Sequence, residues 1–92
     1  MPRMTFNIGL AEHVGRQIKQ RRKTLGLSQR ALGRRLAGVG GVGDGTISRY
    51  ETAVHGPSLE TLCLLALEFD CDPADLLPSI ADLRVMFPEA KS

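Results

Sequence analysis

Two short runs carry the side chains with usable chemistry: Leu25-Gly26-Leu27-Ser28-Gln29 and, some twenty positions later, Ile47-Ser48-Arg49-Tyr50-Glu51. In the second run helical spacing sets Ser48 and Arg49 on one side and Ile47 and Tyr50 on the other. A segment anchored by its apolar side can hold a guanidinium and a hydroxyl outward. The arginine fork is planar, and its N–H donors match a carboxylate, a phosphate or the O6/N7 edge of guanine. Bond-making chemistry finds no such support. The Asp and Glu residues fall at helix starts or on polar faces, no nucleophile has an evident base partner, and no catalytic residue is expected.

The elements that must position these residues are all helical. Val14, Ile18 and Leu25, with Leu10 before them, share one stripe and predict a first helix over residues 9–25, ended by Gly26. Ser28 caps a second helix with Leu32 and Leu36 facing inward and Gln29, Arg30, Arg34 and Arg35 facing outward. Gly38-Val39-Gly40-Gly41-Val42-Gly43-Asp44-Gly45 follows, too rich in glycine for regular structure at low cost. A third helix is expected from near Asp44 to about Thr52. Pro57 and Ser58 announce a fourth over residues 59–69, apolar almost all round and therefore read as the central buried helix. Asp72-Pro73-Ala74-Asp75 opens a short fifth helix ending at Leu77-Pro78. Ser79-Ile80-Ala81-Asp82 repeats the start signal, and Ile80, Leu83, Met86 and Phe87 share an apolar strip before Pro88. No strand, repeat or second domain is evident. The expected organisation is an arm at residues 1–8, a five-helix all-α domain at 9–77 and a tail at 78–92.

Charge divides along the chain. From Met1 to Arg35 nine Lys/Arg stand against one acid, Glu12, a balance of +8; from Leu36 onward three bases face nine acids, a balance of −6. Such a molecule should orient itself on a polyanion, acidic half turned away. No stretch approaches the roughly 20 apolar residues of a membrane span, and Met1-Pro2-Arg3-Met4-Thr5-Phe6 lacks the apolar core of a signal peptide, so a cytoplasmic location is expected. Cys63 and Cys71 fall in apolar helical pattern and are expected to be buried, reduced thiols. His13, His55, Cys63 and Cys71 lack paired ligand spacing, so no metal is expected. Gly38-x-Gly40-x-x-Gly43 matches the dinucleotide-binding fingerprint but follows a helix rather than a strand, and no Lys precedes Thr46 as a phosphate-binding P-loop requires. No cofactor is expected.

The order and spacing of these helices resemble the lambda-repressor-like helix-turn-helix family, which includes phage repressors, Cro and Xre-type regulators. Ile18, Arg22, Gly26-Leu27-Ser28-Gln29, Leu32, Val42, Ile47-Ser48, Glu51, Pro57-Ser58-Leu59, Leu62, Ala66 and Leu76-Leu77 carry the resemblance, which covers about residues 9–77. It implies that the second and third helices read double-stranded DNA, the third lying in the major groove. It also implies a phosphate contact at Gln29 and base or phosphate contacts from Thr46, Ser48 and Arg49. Arg30 and Arg34 join them from the outer face of the second helix. Arg22 and Glu51 are implied to form a structural ion pair between the first helix and the end of the third.

The chain departs from that pattern in two places. The connector from Gly38 to Gly43 makes the turn about four residues longer than the usual three or four. Asp44 and Gly45 hold the front of the third helix, where the family places base-contacting side chains. Asp44 is either a DNA contact, accepting from a cytosine amine, or an N-cap, and the cap is preferred. The apolar residues Ile80, Leu83, Met86 and Phe87 either pack back on the fifth helix or form an isologous dimer contact, the reading preferred here. The expected protein is a homodimeric, sequence-specific regulator on a partly palindromic operator. The alternative is a protein-interaction module, such as an antitoxin or co-regulator, with a protein partner and secondary DNA binding.

Overall fold

The computed structural model describes residues 7–37, 42–43 and 45–90. Among them the chain forms α1 (Ile8–Thr24), α2 (Gln29–Arg35), α3 (Thr46–Glu51), α4 (Leu59–Phe69), a 3₁₀ turn (Pro73–Leu76), α5 (Ile80–Met86) and a last 3₁₀ turn (Pro88–Ala90), with no strand. Each long element begins where a side chain can accept an orphan N–H. Asn7 accepts from Leu10 N at 2.9 Å, Ser28 from Ala31 N at 3.0 Å and Ser58 from Thr61 N at 3.1 Å. α1 stops in a Schellman arrangement: Gly26, at φ 73°, lets its own N–H reach Lys23 O and the Leu27 N–H reach Arg22 O.

The helices bury one core. Ile18, Leu32, Leu65 and Leu76 are fully enclosed, surrounded by Val14, Leu36, Val42, Ile47, Tyr50, Leu62, Ala66 and Phe69. Val42 enters this core from the long connector and anchors it between α2 and α3. α1 runs against α3 so closely at Gly15 that a Cβ there would collide with Tyr50 O and stand 3.2 Å from Glu51 O. Gly15 therefore sets how deeply the end of α3 seats.

Several expectations need correction. The third helix begins at Thr46, and the cap position is held by Gly45 at φ 77° with no side-chain cap bond. The preferred cap, Asp44, lies outside the described residues, as do residues 38–41. α4 is not buried all round: Thr61, Leu62, Leu65, Ala66 and Phe69 face the core, whereas Leu59 and Leu67 are 79% and 75% exposed. Cys63 shares that outer face and is exposed, whereas Cys71 is half-buried and packs against the core. The expected fifth helix is one 3₁₀ turn, because Pro73 and Pro78 bracket too few residues for an i→i+4 ladder. Its bonds are Asp75 N to Asp72 O and Leu77 N to Ala74 O. The last α-helix is formed instead by the start signal at Ser79, whose hydroxyl accepts from Asp82 N at 3.1 Å. α5 packs on α1 rather than on the Pro73–Leu76 turn, tied by Asn7 Nδ2 donating to Met86 O at 3.3 Å.

Candidate nucleic-acid interface

α2 and α3 pack against one another and leave between them a groove of about 600 Å³ open to solvent. Gln29, Arg30 and Arg34 line it from α2, Ser48 from α3, and Val42, Gly43 and Gly45 from the connector; Ile47 forms part of its floor. Arg30 and Arg34 are one turn apart on α2 and both are exposed. Ile47 and Tyr50 are buried, which turns Ser48 and Arg49 away from the core. Arg49 is exposed, and its side chain follows the N-terminal tilt of helical Cβ atoms back along α3. Its guanidinium lies over Gly45, with Nη1 3.6 Å from where a Cβ would stand. Two arginines thus line the groove, and a third holds its guanidinium over Gly45 beside it.

The remaining candidates are placed as follows. Thr46 is half-buried, and its Oγ1 accepts from Gly43 N at 2.9 Å, which closes the last turn of the connector onto α3. Gln29 is exposed at the start of α2, but its Nε2 donates to Glu51 Oε1 at 2.9 Å. The expected phosphate contact at Gln29 thus sits on an amide that also bridges α2 to the end of α3. Glu51 is the hub of this junction. Arg22 Nε lies 2.6 Å from Glu51 Oε2 and its Nη2 3.0 Å from Oε1, while Nη1 donates to Leu27 O at 2.8 Å. The two side chains are 10% and 2% exposed, so the pair is desolvated and must keep its geometry. The Glu51 hydrogen bond raises Arg22 above the ordinary guanidinium range, burial opposes it, and the proximity of the carboxylate adds to the rise.

Sequence reasoning missed three features of this site. Arg35, read as part of the outer basic face, pairs with Glu68 of α4 at 2.6 Å. Nothing in the spacing relates positions so far apart. Tyr50 stacks edge-on with His55, ring centroids 5.5 Å apart, so the loop after α3 braces the helix from behind. Gly15 carries the third: a glycine inside a strong helical pattern is the sequence sign of a close helix crossing.

The profile of the helix-turn-helix family, in its Xre and lambda-repressor-like form, matches residues 18–76, from the middle of α1 to the 3₁₀ turn. The chain belongs to this family. It is a DNA-binding transcription regulator of the lambda-repressor-like fold, with α2 and α3 as the two arms of the motif. No curated protein and no solved structure gives a significant match. Among the described residues no helix is long and apolar enough to cross a membrane, and no group of three His, Cys, Asp or Glu is arranged to hold a metal ion.

Proposed function

We propose that this chain is a sequence-specific regulator that docks α3 in the major groove of DNA and works as a homodimer on a partly palindromic operator. The observation that carries the reading is the convergence of Arg30, Arg34 and Ser48 on one groove with the Arg49 guanidinium over Gly45 beside it. Arg30 and Arg34 neutralise phosphates on either side of the docked helix. Arg49, whose neighbour Gly45 offers no competing side chain, reaches a guanine edge, and Ser48 adds a short polar contact. Thr46 and Gln29 act mainly by holding the connector and α2 in register, and either can still donate or accept at a phosphate. Asp44 would add a cytosine contact.

One recognition helix reads only a few base pairs, so a dimer with half-sites about 34 Å apart supplies the missing specificity. The proposed dimer contact lies on α5 and its C-terminal cap, where Ile80 is 66% exposed and Leu83, Met86 and Phe87 are half-buried. A cytoplasmic location is part of the same reading.

Selection from a random pool of duplexes, sequenced at two salt concentrations, tests this reading. A two-fold symmetric consensus with G at the Arg49 position is expected. About six to ten phosphate contacts would make affinity fall by roughly 10³–10⁵ between 50 and 200 mM salt. Recovery of no consensus at either concentration would remove sequence-specific regulation. The same experiment addresses a second reading, a protein-interaction module with secondary DNA binding. That reading is favoured by the bare front of α3, where Gly45 presents no side chain to a base.

A further inference from the structure

One exposed row of charge on α1 takes no part in the groove. Glu12, Arg16, Lys19 and Lys23 recur at spacings of four, three and four, so they form a single stripe, and all four are exposed. Ala11, Val14, Gly15, Ile18 and Arg22 fill the buried arc of the same helix. Among the described residues the ion pairs are Arg22 with Glu51 and Arg35 with Glu68, so the three cations of the stripe are unpaired.

Two neighbours fix where the stripe lies. Gly15 packs on the last carbonyls of α3, those of Tyr50 and Glu51, the second 3.2 Å from where a Cβ would stand. Lys19 follows Gly15 by four residues, about 40° round the helix, and Lys23 follows by eight, about 80°. The other edge of α1 is occupied: Gln17, Gln20, Arg21 and Thr24 line a hollow together with Phe69 of α4. The stripe therefore flanks the C-terminal end of α3, whereas Arg49 holds its guanidinium over Gly45 at the front.

We infer that Lys19 and Lys23, with Arg16 beside them, form a second phosphate-binding edge that holds the DNA backbone past the end of α3. The inference rests on the docking of α3 proposed above. The backbone that borders a major groove runs on beyond the helix seated in it, and there the stripe supplies positive charge. Ammonium groups suit that task, since they bind phosphate as point charges and need no bidentate geometry. Glu12 sets the limit of the edge, because a carboxylate repels phosphate; the contact centres on Lys19 and Lys23. Helix polarity accounts for Lys23 alone, which lies in the last turn of α1 where a cation is favoured. Arg16 and Lys19 lie too far back for that effect.

The test compares the full chain with the double variant Lys19→Gln/Lys23→Gln over a range of salt, on the selected operator and on a mixed-sequence duplex. Both lysines are exposed and unpaired, so helicity and melting should stay unchanged. The log–log salt slope should become shallower by about 2 per bound copy on both duplexes, with the preferred sequence unaltered. Operators carrying one neutral methylphosphonate at successive positions then locate the edge. A neutral linkage beneath it should weaken the parent chain about tenfold near 100 mM salt and the variant hardly at all. Linkages beneath Arg30 and Arg34 should weaken both alike. Glu12→Gln should bind about twofold more tightly, a gain that no folding defect produces. An unchanged slope, or the same methylphosphonate profile for parent and variant, overturns the edge and leaves α3 docking intact. A slope change on the mixed duplex without any preferred sequence would instead keep the edge and sink the sequence-specific reading.

Discussion

Glu51 concentrates more of the site's geometry than any other side chain. Its carboxylate receives Arg22 from α1 and Gln29 from α2 while standing at the end of α3, so three helices meet on two oxygens. Glu51→Ala leaves the Arg22 guanidinium buried without its counter-charge and should cost about 3–5 kcal/mol. Gln29→Ala, exposed and neutral, should cost less than about 1 kcal/mol. Denaturant midpoints at unchanged m-value would show the contrast, and equal losses would mean that Glu51 is not the hub. Tyr50 supplies a pH test. Burial raises its phenol above the ordinary range, with a smaller opposing effect from a hydrogen bond with Thr61. A group raised in the folded state contributes fully below its ordinary pKa and loses that contribution as pH climbs through the raised value. The domain should therefore lose stability in alkali as Tyr50 ionises. It is the sole tyrosine and there is no tryptophan, so phenolate absorbance follows it alone. Ionisation in the ordinary phenol range, with stability unaffected, would contradict its burial. The thiols should separate as well: Cys63, exposed, should react with a maleimide well before Cys71, which is half-buried and whose pKa is raised, chiefly by burial.

At the scale of elements, glycines set the limits. At Gly15 a methyl group would push Tyr50 O and the end of α3 outward, and Gly15→Ala should destabilise by about 1–3 kcal/mol. Gly45→Ala meets a different obstacle, a left-handed φ of 77°, and should cost about 1–2 kcal/mol with no core residue disturbed. Thermal melting of the two variants checks both, and a neutral Gly15→Ala would mean that α1 and α3 have more slack than their spacing allows. The helices themselves were legible because their signals are local: Ser28, Ser58 and Ser79 cap what they seem to cap, and Gly26 ends α1. The groove was half legible. Outward placement of Arg30, Arg34 and Arg49 follows from helical period once Leu32, Ile47 and Tyr50 are assigned inward. The bridge from Gln29 to Glu51 and the pairing of Arg35 with Glu68 join residues 22 and 33 positions apart, and no periodicity reports such contacts. In α4 composition and burial part company. Its apolar residues fill nearly the whole cylinder, but only one arc meets the core.

For the whole molecule, the division between a basic first third and an acidic remainder organises binding. Arg30 and Arg34 belong to the basic part; Glu60 and Asp70, on the outer side of α4, belong to the acidic part. DNA affinity should fall steeply with salt, and replacing Arg30 and Arg34 by Ala should make the log–log slope shallower by about 2 while leaving the preferred sequence unchanged. A changed consensus would make one of them a base reader. The measurement that bears most directly on the account compares wild-type chain and Arg49→Ala on the selected operator and on a copy with the guanine replaced. The account predicts that Arg49→Ala loses about 1–3 kcal/mol on the operator and little on the altered duplex, so that the two affinities converge. Equal losses on both duplexes would make Arg49 one more phosphate contact and leave α3 without a reader.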